Sequence, residues 1–316
     1  GKGGTTSAPY SSGGNNTFLG YQAGENFTTG GQNVAIGSNS SLALTTGQYN
    51  ITVGSGAGFA LTTGTTNVII GQDAGVALTG TSNTVLIGGF AGDAINHTDA
   101  NGTVAIGYQA GSAITSGQRN VVMGYQAGLS MTTMDDTVVI GYGAGDALST
   151  GTGRNTIIGS GAASALTTET QNVAIGSGAL SDATNSANVI AIGHRAAVAL
   201  SHGDSSGTVA IGVLALENAN GSHSPNLAIG YYAANAITTG AYNTAIGYEA
   251  MKVHTTGASN IAIGYGAMND TDAGSNSLDS DNNVAIGKDS MGGTWANAKS
   301  EWNVAVGNAT MQAALN

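Results

Sequence analysis

The residues able to carry chemistry are few in this sequence and widely scattered. Five histidines occur, His97, His194, His202, His223 and His254. Two of them stand two positions from an aspartate, His97 before Asp99 and His202 before Asp204. A zinc site needs a third ligand and a hydrolytic triad needs a nucleophile, and neither pair is given one by its neighbours. The densest group of carboxylates is Asp270, Asp272, Asp279 and Asp281. Paired carboxylates are the machinery of glycoside hydrolysis, and oxygen ligands of this kind suit Ca²⁺. In a stretch rich in Ser, Asn and Gly they read first as a solvated acidic loop, then as a loose Ca²⁺ site, and last as a catalytic pair.

Tyrosine is patterned where the other reactive residues are not. Tyr108, Tyr125 and Tyr142 recur at one fixed spacing, and Tyr231, Tyr248 and Tyr265 repeat it. Rings repeated at a fixed spacing offer apolar area with a polar tip to a sugar, and equally they stiffen a repeating scaffold. Both tryptophans, Trp295 and Trp302, come late in the sequence. They suit a recognition loop or a cap on the end of a repeat.

The spacing of the tyrosines is that of the whole chain. The phrase Asn33-Val34-Ala35-Ile36-Gly37 returns as Asn172-Val173-Ala174-Ile175-Gly176 and Asn260-Ile261-Ala262-Ile263-Gly264. Its closing glycine starts at Gly20, steps through Gly37, Gly54 and Gly71, and is still recurring at Gly307. A period this short, about 17 residues, held through so many copies predicts an all-β parallel solenoid, a β-roll of about 17 coils. The solenoid should occupy residues 15–316. Residues 1–14 read as a flexible Gly/Ser-rich lead-in, and the longer intervals place irregular loops at 265–306.

Aligned on the closing glycine, the copies form columns. Ala23, Ala57 and Ala110 stand three past it, and Leu44, Leu61 and Leu78 seven past it. Asn33, Asn50, Asn67, Asn120, Asn155 and Asn172 stand four before it, where a side-chain amide could satisfy backbone groups. Alternate strand residues face opposite ways, and all three positions of the strand are apolar. A strand apolar on both sides is normally covered on both sides. Val34 and Ile36 are expected to face the coil's interior. The opposite column, Ala105, Ala174, Ala191, Ala210, Ala228, Ala245, Ala262 and Ala285, is expected to form the seam between copies of the chain.

Composition narrows the function. The formal net charge is −11 and only 8% of residues are charged, which argues against a nucleic-acid partner, since phosphate binding needs clustered Lys and Arg. No apolar run reaches the ~20 residues of a membrane-spanning helix. Cysteine is absent, so neither disulfides nor thiolate metal sites arise. The Ile-Gly phrase does not recur at every sixth position, which sets aside the hexapeptide acyltransferases. A ranked Thr-x-Thr strand, which an ice-binding surface would need, is also missing.

On Asn33-Val34-Ala35-Ile36-Gly37 and Asn283-Val284-Ala285-Ile286-Gly287 the chain resembles the head repeats of YadA-like trimeric autotransporter adhesins. The longer phrase Asn120-Val121-Val122-Met123-Gly124-Tyr125-Gln126-Ala127-Gly128 resembles repeats of phage tail-fibre shafts. The repeat is longer than is usual in the adhesin heads, and no heptad pattern of a coiled-coil stalk is present, which favours a phage-type fibre or a secreted fibre fragment. The resemblance implies a homotrimeric rod, outside the cell on a virion tail or cell surface, that holds a host-surface glycan or protein by multivalent weak contacts. Such a fibre is not an enzyme and needs no cofactor. The alternatives are a self-assembling extracellular filament and a glycan-cleaving tailspike.

Overall fold

The computed structural model describes residues 13–200, 205–220, 225–269, 280–293 and 300–312. All but the end of the expected lead-in therefore lies outside the described residues. The chain divides into two compact units, Gly1–Asn155 and Thr156–Asn316, and each is a parallel β-solenoid. The first holds β1 (Thr17–Leu19), β2 (Val34–Ile36), β3 (Ile51–Val53), β4 (Val68–Ile70), β5 (Val85–Ile87), β6 (Val104–Ile106), β7 (Val121–Met123) and β8 (Val138–Ile140). The second holds β9 (Thr156–Ile158), β10 (Val173–Ile175), β11 (Ile190–Ile192), β12 (Val209–Ile211), β13 (Leu227–Ile229), β14 (Thr244–Ile246), β15 (Ile261–Ile263), β16 (Val284–Ile286) and β17 (Val304–Val306). Together they make about sixteen turns. Among the described residues the one helical element is a 3₁₀ turn at Thr98–Ala100.

Within each unit every strand pairs in parallel with the next, residue for residue. Ala174 lies opposite Ile157 on one side and Ala191 on the other, and Ala35 lies between Phe18 and Thr52. The columns of the alignment are therefore ladders in space. The recurring glycine follows from this register. At Gly37 φ is +131°, a region open only to a residue without Cβ. A Cβ added there would also collide with the carbonyl oxygen of Gly54 in the next coil.

The strand faces are the reverse of the sequence expectation. The central residue points inward, and Ala105, Ala174, Ala191, Ala210, Ala228, Ala245, Ala262 and Ala285 are completely buried within the single chain. They form no outward seam. Val34, Ile36 and their equivalents flank them on the outside and stay partly exposed. The reason is geometric. A coil of so short a period is narrow, and a strand of three can send one side chain into it while the two ends splay outward. Leu44, Leu61, Leu78 and Leu148 complete the core as expected.

The small alanines answer to a neighbour inside the same coil. In the first unit a large residue at the strand centre (Phe18, Leu86, Val122) faces a glycine four past the closing glycine (Gly24, Gly92, Gly128), where an added Cβ would come within 2.8, 2.9 and 3.3 Å of it. In the second unit Ala174, Ala210, Ala245 and Ala262 stand at the centre, and the corner holds Leu180, Leu216, Met251 and Met268. These corner residues are buried with φ between +51° and +57°. A side-chained residue held there costs on the order of 1–3 kcal/mol. Unbranched Leu and Met bear it better than a β-branched residue would. Where Leu takes the corner, the core position three further on shrinks to Ala183 or Ala219, against Leu166, Leu200 and Ile237 elsewhere. In these coils bulk moves between positions, as close packing favours, whereas Ala105 stands with Gly111, and Ala191 and Ala228 stand with Ala197 and Ala234, without that exchange.

Two polar ladders close the coils. The column asparagines accept a backbone N–H from the next coil and donate their own amides to turn carbonyls. Asn33 Oδ1 accepts from Asn50 N at 2.9 Å, and Asn50 Nδ2 donates to Gly64 O at 2.8 Å. The expected use of that column is what the structure contains. Thr45, Thr62, Thr132 and Thr238 donate their hydroxyls to carbonyls of the following coil at 2.9–3.2 Å. Both ladders satisfy groups that would be costly to bury unpaired.

The volume trade has a direct test. Ala245→Val should overpack the corner against Met251 and lower stability by about 1–3 kcal/mol. Adding Met251→Gly should recover most of it, because the second change frees space and relieves a left-handed residue. Denaturant unfolding of the single and double variants measures the coupling; strictly additive losses would show that the two positions do not share space.

Candidate functional site

Two surface features are built by the repeat in each unit. The first is the outward strand face. Its β-branched and other apolar side chains recur from coil to coil, and several are well exposed, including Leu19, Ile51, Ile190, Ile261, Ile286 and Val304. A parallel sheet that is apolar on both faces ordinarily has both faces covered.

The second feature is a pair of tyrosine ladders one position past the closing glycine, where the register sets ring over ring. In the first unit Tyr108, Tyr125 and Tyr142 stack at centroid separations of 5.4 Å with planes within 20° of parallel. In the second, Tyr231, Tyr248 and Tyr265 stack at 5.2 and 5.1 Å with planes within 15°. All six are 41–66% exposed. Because each ring covers the next, the ladders show solvent their edges and hydroxyl tips. Few ring faces remain for a sugar to lie on. Phe90 meets the lower end of the first ladder edge-on at 6.0 Å, and Lys288 Nζ sits 5.6 Å over the Tyr265 ring at the upper end of the second. Partial desolvation and a hydrogen bond with Tyr232 raise the Tyr231 phenol above its ordinary pKa. Desolvation and the charge of Glu249 do the same at Tyr248.

Charges bridge neighbouring coils in pairs. Arg119 donates to both oxygens of Asp136 at 2.6 and 2.9 Å, which lowers the Asp136 pKa. Arg195 meets Glu217 at 2.7 Å, and Lys252 meets Glu249 at 2.9 Å within one coil. Exposed pairs of this kind contribute little each, so they tune the surface more than they hold the fold.

The remaining sequence candidates fare differently. Asp281 accepts the backbone N–H of Ala258 at 2.7 Å, acting as a turn ligand for the chain itself. Trp302 is 75% exposed. Asp270, Asp272, Asp279 and Trp295, with His202, Asp204 and His223, lie outside the described residues. His97 and Asp99 pair with each other at 3.1 Å beside the 3₁₀ turn. Among the described residues no three His, Asp or Glu side chains converge as metal ligands would, and no helix is long and apolar enough to cross a membrane.

His254 is the residue whose setting the sequence did not reveal. It stands seven past Gly247, in the core column that Leu44 and Ile237 occupy in their coils, and is 5% exposed. Aligning that column across all copies, with His254 in it, is the signal that would have found it. Its Nδ1 has no partner, and the ring hydrogen-bonds to the Met268 backbone. Burial pulls its pKa from 6.5 to about 4.

No protein-family model matches the chain, and neither a curated protein nor a solved structure is significantly similar to it. Its class therefore comes from its own geometry: a β-solenoid repeat protein whose surface is a set of parallel residue ladders.

The buried histidine gives the protein a defined acid sensitivity. Above pH 6.5 it is neutral folded or unfolded and costs nothing through protonation. As pH falls towards 4 the unfolded chain takes up a proton that the folded coil refuses. About 3 kcal/mol of stability should be lost across that window. Below pH 4 the loss levels off. His254→Leu, which restores the column residue, should remove that step, and unfolding midpoints of both proteins from neutral pH down to pH 4 would measure it. Parallel pH profiles would show that the ring is not neutral in the core.

Proposed function

We propose that the chain is the structural shaft of an extracellular fibre, of the kind carried on phage tails or bacterial surfaces, that assembles as a homotrimer and holds a host-cell surface through many weak contacts. The observation that carries this reading is the outward strand face. It is apolar in coil after coil, and a parallel sheet seldom leaves such a face wet. A second copy of the same chain has the same coil spacing, so its ladders can mesh with these coil by coil. The seam thus belongs to the Val/Ile columns, and the alanines hold the coil interior. The repeated tyrosine tips and the polar Thr and Asn corners supply hydrogen-bonding groups at a constant spacing for a host-surface glycan or protein. Sites that are weak singly gain avidity when three chains present them together.

Light scattering should give the mass of three 30.9 kDa chains. An open-ended size distribution would favour a filament, and a single-chain mass would remove the trimer. The two faces are separable by mutation. Ile190→Asp with Ile261→Asp alters side chains that are 37% and 38% exposed in the single chain; it should split the oligomer while each chain keeps its β-sheet circular dichroism. Ala245→Asp with Ala262→Asp buries charge without a partner and should unfold the coil itself. An assembled, heat-resistant Ile190/Ile261 variant would put the seam elsewhere.

A further inference from the structure

We propose that the two tyrosine ladders are sites of oxidative cross-linking, at which a one-electron oxidant such as a haem peroxidase with hydrogen peroxide joins successive coils through dityrosine. Three observations bring the reactants together. The rings are neighbours in space at 5.1–5.4 Å and nearly parallel. Their exposure leaves the phenol tips within reach of an oxidant. Their partners are set by the backbone: Gln126 N donates to Tyr108 O at 2.9 Å and Gly266 N donates to Tyr248 O at 2.9 Å, so hydrogen bonds beside the rings hold successive coils in register. Two radicals formed on one ladder therefore meet without diffusing, an arrangement that supplies the proximity an intermolecular coupling lacks.

The chemistry balances on two phenols and one peroxide. Each phenol gives up its O–H proton and one electron, leaving a neutral phenoxyl radical. Two radicals join through their ortho carbons, forming one C–C bond. The two displaced ortho hydrogens return to the oxygens as the rings regain aromaticity. The peroxide O–O bond breaks, and the two electrons and two protons leave as part of two waters. The product ties coil to coil covalently at a position where the fold otherwise relies on hydrogen bonds and packing. Other exposed tyrosines lack this arrangement. Among the described residues, Tyr21, Tyr49 and Tyr242 have no tyrosine over them in the adjoining coils, which place Ser38, Gln32, Thr66, Pro225 and Ser259 in their columns.

The test treats the dilute 316-residue chain with a haem peroxidase and hydrogen peroxide, then maps dityrosine by fluorescence and by mass spectrometry of linked peptides. The expected links are Tyr108–Tyr125, Tyr125–Tyr142, Tyr231–Tyr248 and Tyr248–Tyr265, all within one chain. Tyr125→Phe with Tyr248→Phe keeps the stacked rings but removes the middle phenol of each ladder, so those four links should vanish, and the dityrosine left within the chain should map to the adjacent Tyr231 and Tyr232, whose rings lie 4.4 Å apart. Circular dichroism of the variant confirms that the coils are intact. Links made mainly between chains, links drawn equally from Tyr21, Tyr49 and Tyr242, or dityrosine within the chain that, Tyr231–Tyr232 apart, is undiminished in the double variant would overturn the proposal.

Discussion

The constraint on which the structure depends is the close approach between one coil and the next where the closing glycine of a turn lies against the glycine of its neighbour. In-register hydrogen bonding fixes that separation at the spacing of adjacent strands, and at Gly37, Gly54 and Gly71 it leaves no room for a Cβ. Once this contact is made in each turn, the rest of the coil is stacked with it. A residue type placed in one column then meets its own kind above and below. Asparagine becomes an amide ladder, threonine a hydroxyl ladder and tyrosine a column of stacked rings. The repeat thereby converts a local choice into a continuous feature without long-range design.

Ladders also multiply errors, and the core shows how this is contained. A large residue in every inward position of every coil would overfill the space that so short a turn encloses. The chain shares the volume among three positions, the strand centre, the corner and the residue three beyond. Leu86 is matched by Gly92, and Ala174 by Leu180 with Ala183. The second unit accepts left-handed backbone at Leu216, Met251 and Met268, a local strain offset by buried apolar area. His254 departs from this scheme in another way, since it puts a titratable ring with an orphaned nitrogen where hydrocarbon stands elsewhere. The stack tolerates it because neighbouring coils hold that position in register regardless.

Much of this was legible in the sequence because the period is explicit. The coil length, the strand positions, the Leu44 and Ala57 core columns, the asparagine ladder and the tyrosine stacks all follow from aligning copies on one glycine. What could not be read was direction. Val34, Ala35 and Ile36 are all apolar, so alternation says only that the middle residue opposes its neighbours, not which side is inside. Size misleads as well, because a column of alanine looks like a close-packing seam until the Leu or Met at the corner beside Ala174, Ala210, Ala245 and Ala262 is recognised. That pairing was present in the sequence as a trade between two columns, yet no single column shows it. The environment of His254 was hidden for the same reason: a lone histidine carries no pattern unless its column is compared with the others.

The inversion of the strand faces changes what the outside of the molecule is. With alanine outward, two copies could approach closely but would gain little apolar burial. With Val, Ile and Leu outward, most coils present two apolar side chains, most of them branched, and burial at about 25 cal/mol per Å² would accumulate turn by turn. A single coil's contribution is small, but the register makes contributions from successive coils simultaneous. An interface of this type would have little affinity as an isolated turn and much as a stack, so association would depend on the number of coils more than on any one residue. On the proposed reading the tyrosine ladders would obey the same arithmetic, their tips being modest groups repeated at one spacing. In both cases the working unit is the spacing between coils, and the side chains serve as its repeated marks.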